Sequence, residues 1–160
     1  MDTPHATRPG DSTVYAATVV QKIALVFGIV FLLAGIAGFI PGLTHSAEHL
    51  AGAGAHSEAQ LLGVFQVSVL HNLVHLAFGV VGVLVVARAA VARMYLIWGG
   101  LVYFVVWLYG LFAVTSDQLN VLPVNDADNW LHLALALGML LLGIFVNGAP
   151  RLPRTADIRR

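Results

Sequence analysis

The sequence predicts an all-α integral membrane protein: a four-helix bundle made of two tandem helical hairpins in parallel repeat, with both termini cytoplasmic. Three observations carry this. The chain is 59% hydrophobic and only 10% charged, a balance foreign to soluble domains. Residues 23–40, 69–87, 94–114 and 129–146 contain no Lys, Arg, Asp or Glu. At 1.5 Å per residue each run crosses most or all of a ~30 Å hydrocarbon core, and their unbroken apolar character excludes a closed β-barrel. Finally, the eight cations are sorted. Arg8, Lys22, Arg88, Arg93, Arg151, Arg154, Arg159 and Arg160 all flank one side of the runs, while the other two connections carry only Glu48, Glu58, Asp117, Asp126 and Asp128. The positive-inside rule makes the cationic side cytoplasmic.

Along the chain, residues 1–18 form a polar cytoplasmic lead-in containing Pro4, Pro9 and Gly10. The transmembrane domain covers 19–147, with helices at about 20–41, 69–88, 93–114 and 127–147, and residues 148–160 form a basic cytoplasmic tail. Helix 1 stops at Pro41-Gly42, a strong termination signal. The first outer loop, 43–60, is rich in Gly, Ala and His, and leads into residues 61–65, apolar but too short to span, at the outer interface. Ser68 is a natural N-cap for helix 2. A short turn around residues 88–93 makes helices 2 and 3 antiparallel neighbours. Helix 3 places Tyr95 and Trp98 at the inner interface and Trp107, Tyr109 and Phe112 at the outer one, where amphipathic rings settle. Asn125 with Asp128 three residues on resembles a capping box for helix 4, and Asn147-Gly148-Ala149-Pro150 ends that helix.

One motif occurs twice. Phe65-Gln66-Val67-Ser68-Val69-Leu70-His71-Asn72-Leu73-Val74-His75-Leu76 aligns without gaps on Leu122-Pro123-Val124-Asn125-Asp126-Ala127-Asp128-Asn129-Trp130-Leu131-His132-Leu133. Asn72 matches Asn129 and His75 matches His132. Lys22 and Gly28 match Arg93 and Gly99 more weakly. Each half reads as an up-down hairpin, and the pair predicts a pseudo-two-fold axis along the membrane normal, as repeated transporters also have.

Polar side chains repeated at membrane depth are costly and need a reason. The candidate motif is Asn72, His75, Asn129 and His132, with His71 and Asp128 one turn nearer the helix starts. The reading favoured by the residues is structural: Asn and His side chains tie helix ends to interfacial loops whose backbone finds no partner in lipid. The sharper alternative places a haem b between His75 and His132, with Tyr103, Trp107 and Trp130 nearby. A divalent metal would need a third ligand, from His71 or Asp128. A third alternative, a small oligomeric transporter or channel, lacks any carboxylate relay within the apolar runs.

Weaker signals lie elsewhere in the chain. His45 and His49 have the i, i+4 spacing of metal ligands on a helix, although the Ala- and Gly-rich surroundings favour a solvated loop. Ala34, Gly38 and Gly42 in helix 1, and Gly79 and Gly82 in helix 2, suit close helix packing. The chain contains no cysteine, so disulfides, thiolate sites and c-type haem attachment are excluded. Phosphate loops, nucleophile–base arrangements and paired carboxylates are absent from the sequence. Nucleic acid is not an expected partner; the expected ones are the lipid bilayer and, through helix packing, a second copy or another membrane protein.

With these residues in view, the chain resembles the small bacterial four-helix membrane proteins of domain-of-unknown-function family 4383. The resemblance rests on Leu70-His71-Asn72-Leu73-Val74-His75-Leu76, on the preceding Gly63-Val64-Phe65-Gln66-Val67, and on Asp128-Asn129-Trp130-Leu131-His132-Leu133, and covers roughly residues 20–146. It implies a membrane location and a four-helix bundle and marks Asn72, His75, Asn129 and His132 as the signature, but brings no activity. The resulting expectation is a non-enzymatic accessory or scaffold subunit of the bacterial cytoplasmic membrane, with no cofactor unless the paired histidines hold haem b.

Overall fold

The computed structural model describes residues 14–146; Arg8, the Asn147–Pro150 stop and the arginines of the tail lie outside the described residues. Four long helices dominate: α1 Val19–Ala37, α2 Val69–Leu84, α3 Ala89–Ala113 and α4 Asp126–Phe145. All four, α2 together with the turn that carries it to Ala87, are long and apolar enough to cross a membrane.

Their ends have identifiable causes. Thr18 and Gln21 form a reciprocal capping box at the start of α1, Ser68 accepts from the His71 amide at the start of α2, and Asn125 and Asp128 form a second capping box at the start of α4. Each satisfies amides that a helix start leaves unpaired. The first helix stops at Ala37, short of Pro41, because the Thr44 hydroxyl donates to the Ala37 carbonyl at 2.9 Å and the chain turns there. Between α2 and α3 the turn is tighter than residues 88–93. A 3-10 turn, Val85–Ala87, carries α2 onward and α3 begins at Ala89. Arg93 therefore lies inside α3. Its Nε and Nη2 donate to the carbonyls of Gly143 and Ile144, each at 2.9 Å, so the cation pairs with the otherwise unsatisfied C-terminal end of α4. Gln21 plays the same part in the first hairpin, donating to the Val86 carbonyl at 2.6 Å.

α1 packs along α2 and α3 along α4, and the two hairpins meet chiefly through α1 and α3. The approach within each hairpin is backbone to backbone. A Cβ on Gly28 would lie 2.9 Å from the Gly82 carbonyl carbon, and one on Gly100 would lie 2.9 Å from the Leu140 amide nitrogen. The shared core contains Val20, Ala24, Phe31, Leu96, Tyr103 and Met139. The outward faces are apolar instead: Phe145 is 74% exposed and Trp130 69%. Contiguous apolar exposure on this scale marks a lipid-facing or protein-covered surface.

The two long connections cover the same end of the bundle, called here the loop end; the opposite end carries Lys22, Arg88 and Arg93. The first connection folds into a small antiparallel sheet of β1 Thr44–His45, β2 Gln60–Leu61 and β3 Phe65–Gln66, in that order. Ala59, Leu61 and Val67 form a satellite core beneath it, packed against Ala34 and Ala37 of α1. The second connection is held by the Tyr109 hydroxyl, which donates to the Leu119 carbonyl at 2.6 Å, and by Asn120, which bonds both backbone groups of Val124 at 3.0 Å.

A buried histidine centre beneath the loops

The caps set the register of the polar residues in each first turn. With Ser68 capping α2, His71 falls in the first turn, Asn72 beside it and His75 one turn deeper. With Asn125 capping α4, Asp128, Asn129 and His132 take the corresponding places.

His71 and Asp128 cross-link the two halves. A His71 ring nitrogen, Nδ1, lies 3.2 Å from the Pro123 carbonyl in the loop that precedes α4. The Asp128 carboxylate accepts from the Gln66 amide at 3.0 Å, in the segment that precedes α2, and from the Asn125 amide at 2.9 Å. Asn125 adds a third link by donating to the Val64 carbonyl at 2.7 Å. The residue types match the backbone groups they meet. Pro123 has no N–H and offers only its carbonyl, so it meets an imidazole that can donate; Gln66 offers its N–H, so it meets an acceptor. Fastening of helix starts to loops is therefore present, and it is carried by His71 and Asp128.

The other four motif residues behave differently. Asn72 fills the space next to Gly38, and Asn129 the space next to Gly110; a Cβ on either glycine would collide with the amide. Both asparagines are buried. Yet both side-chain polar atoms of Asn72, the Asn129 carbonyl oxygen, and Nδ1 of His75 and of His132 have no hydrogen-bond partner. A buried polar atom left unpaired costs about 1–3 kcal/mol, and five in one small region is far from the usual pattern.

His75 and His132 belong to a cluster of rings. His71 and His75 lie edge to face with centroids 4.6 Å apart, and His71 and His132 lie 6.0 Å apart. Phe31 stacks on His75 at 5.9 Å, Tyr103 packs on His132 at 5.4 Å, and Phe31 and Tyr103 stack on each other at 5.3 Å with planes 5° apart. One nitrogen from each of the three histidines lies within 4.8 Å of the others. On the α2–α3 side the cluster borders a cavity of about 50 Å³. On the α1–α4 side it closes the inner end of an apolar cleft of about 330 Å³, roofed by Leu61, Leu62 and Phe65, whose polar lining is the three histidines and Asp128. Such a centre can bind a cation through imidazole nitrogen or hold a proton. The residues that line its cavity and cleft include no Ser, Thr or Cys.

Other expected residues fall elsewhere. His45 lies on β1 and His49 on a 3-10 turn, so the helical register that would align them is missing. His49 instead sits 3.6 Å from Glu58 and 3.9 Å from Glu48 on the exposed surface. Gly42 has a φ of +92° and open space around it; it serves a turn rather than a helix contact. Gly79 and Gly82 do lie at the α1 interface, against Leu32 and Gly28. Of the aromatics expected near the histidines, Tyr103 is there and Trp130 points outward. Phe31 and Gln21 carry no motif and their roles appear only in three dimensions.

A family model described as a domain of unknown function, DUF4383, matches residues 21–145. No curated protein and no solved structure matches the chain.

Proposed function

Because this chain belongs to the DUF4383 family, whose description names no activity, its role has to be read from its own residues, and we propose that it is a multi-pass, non-enzymatic accessory or scaffold subunit of the bacterial cytoplasmic membrane. The observation that carries this reading is the cross-linking of the two hairpins at the loop end. His71 to Pro123, Gln66 to Asp128 and Asn125 to Val64 each join one half to the other. Three such links hold the loop ends of the two hairpins together, as a platform for a partner requires. The sorted cations support an orientation with the Lys22–Arg88–Arg93 end inside and the loop end outside.

Matched contacts support a tandem repeat, in a register one residue from the Lys22–Arg93 alignment. The shift that maps Gln21 onto Arg93 also maps Gly28 onto Gly100, Phe31 onto Tyr103 and Gly38 onto Gly110. The shift that maps Asn72 onto Asn129 also maps Val86 onto Gly143 and Gln66 onto Pro123. Gln21–Val86 thus corresponds to Arg93–Gly143, Gly38–Asn72 to Gly110–Asn129, and His71–Pro123 to Asp128–Gln66.

The cavity beside the rings, about 50 Å³, has room for an ion or a water or two, and the apolar cleft on their other side, about 330 Å³, lies at the lower end of the range of organic cofactor sites. Phe31 and Tyr103, with Leu96 and Met139 beyond them, fill the bundle towards the cationic end, which weighs against a transport path. The test uses the natural absence of cysteine. Single cysteines replace Asp117, Arg88 or Val106, and a membrane-impermeant maleimide is applied to right-side-out and inverted vesicles. Labelling of Asp117→Cys from outside, of Arg88→Cys from inside, and of Val106→Cys from neither is expected. Labelling of Val106→Cys from both sides would replace this reading with transport.

A further inference from the structure

We propose that His71, His75 and His132 form the binding site of a single late first-row transition-metal ion, zinc or copper. This site goes beyond the accessory role and stands or falls separately from it. Three features converge. Nitrogens from three imidazoles on two helices lie within 4.8 Å of one another. An ion at the centre of such a triangle lies about 2.8 Å from each corner (the edge divided by √3), so each ring advances less than ~1 Å to reach a metal–nitrogen bond of about 2.0–2.1 Å. Small rotations about the side-chain torsions supply that movement, with the 50 Å³ cavity as adjoining space.

The second feature is the state of the nitrogens. The His71 Nδ1 faces the Pro123 carbonyl at 3.2 Å. Donation to that carbonyl puts the proton on Nδ1 and leaves Nε2 with a free lone pair, the arrangement by which outer partners orient metal-binding histidines. His75 and His132 each keep a buried Nδ1 that no protein atom satisfies. A structural histidine in lipid is expected to spend both nitrogens on hydrogen bonds, whereas a ligand keeps one for the metal.

The third feature is the chemistry of the donor set. Three imidazoles without thiolate or bidentate carboxylate favour zinc, copper and their neighbours over magnesium or calcium. Asp128 lines the same cleft as the three histidines. Three protein ligands leave a coordination position open, and the α1–α4 cleft of about 330 Å³ leads to it from the apolar surface.

The experiment uses the full chain in detergent, carrying an affinity tag without histidine. Because His45, His49 and His56 are exposed and can bind metal adventitiously, the background is the triple variant H45A/H49A/H56A. Elemental analysis of protein purified from membranes should find about one zinc or copper per chain, and identifies which. After chelation, titration with Co2+ should give a visible ligand-field spectrum at one equivalent that Zn2+ abolishes. His75→Gln and His132→Leu should weaken Co2+ binding by more than about 100-fold while eluting as the same monodisperse species, and Asn72→Ala should leave it unchanged. The proposal is overturned if the folded background protein binds no Co2+, or if the two histidine variants bind it as before. Because the first of these outcomes needs no substitution in the centre, a folding defect in a variant does not protect the proposal. The vesicle-labelling pattern is read without metal, so neither result decides the other.

Discussion

The Asn72 amide occupies the space that a side chain at position 38 would need, and the same relationship joins Asn129 to position 110. The glycine on one helix and the asparagine on the next are therefore a single packing unit. Gly38→Ala and Gly110→Ala should each destabilise the protein by about 1–3 kcal/mol, the usual range for overpacking, measured as detergent denaturation. The double variant Gly38→Ala/Asn72→Ala should recover most of the loss, because the new methyl fills part of the vacated space. A strictly additive cycle would sever the two residues energetically.

The cross-links at the loop end differ from the histidine centre in what they contribute. Asp128→Ala removes acceptors for both the Gln66 and the Asn125 amides and should cost about 1–3 kcal/mol. Asp128→Asn keeps one acceptor oxygen and should cost less. Equal losses from the two variants would mean that charge rather than acceptance matters there.

His75 is expected to behave in the opposite way. Its buried Nδ1 has no partner, so His75→Leu in metal-free protein should leave the melting temperature unchanged or raise it. A large drop, on the order of the ~2 kcal/mol or more seen when a core side chain is lost, would assign His75 a packing or fastening role after all.

Arg93 provides a test at the other end. Arg93→Gln removes a charge-assisted pair of bonds to the Gly143 and Ile144 carbonyls and should cost about 1–2 kcal/mol. Gln21 already makes the uncharged version of this contact to Val86, so the variant should still fold. Failure to assemble would show that the charge itself holds the second hairpin together.

The legible part of this molecule was what repeats or what lipid dictates. Continuous apolar runs mark four helices, because a spanning segment has to satisfy its own backbone, and Ser68, Asn125 and Asp128 mark helix starts by their chemistry. The aligned Asn72/Asn129 and His75/His132 pointed to the centre. The partners were not legible. Asn72 meets a glycine on another helix, and a glycine carries no sign of what fills its space. Phe31 looks like any core aromatic until it stacks on Tyr103. Lys22 resembles Arg93 in charge, yet Gln21 makes the equivalent contact, since rotation about the helix decides which side chain faces the neighbour. His71 and Asp128 differ so much in type that only their partners, Pro123 and Gln66, reveal a common task.

The grip of Arg93 on the end of α4 also bears on how the chain enters the bilayer. α4 is the least apolar of the four helices and α1 the most, and α4 begins with Asp126 and Asp128. Leaving the insertion machinery alone, it would carry bare terminal carbonyls at one end and two carboxylates at the other. With α3 already beside it, Arg93 covers the carbonyls, and Gln66, delivered earlier by the first hairpin, receives Asp128. Both partners precede α4 in the chain, so the order of synthesis places them ahead of the helix whose polar ends they meet.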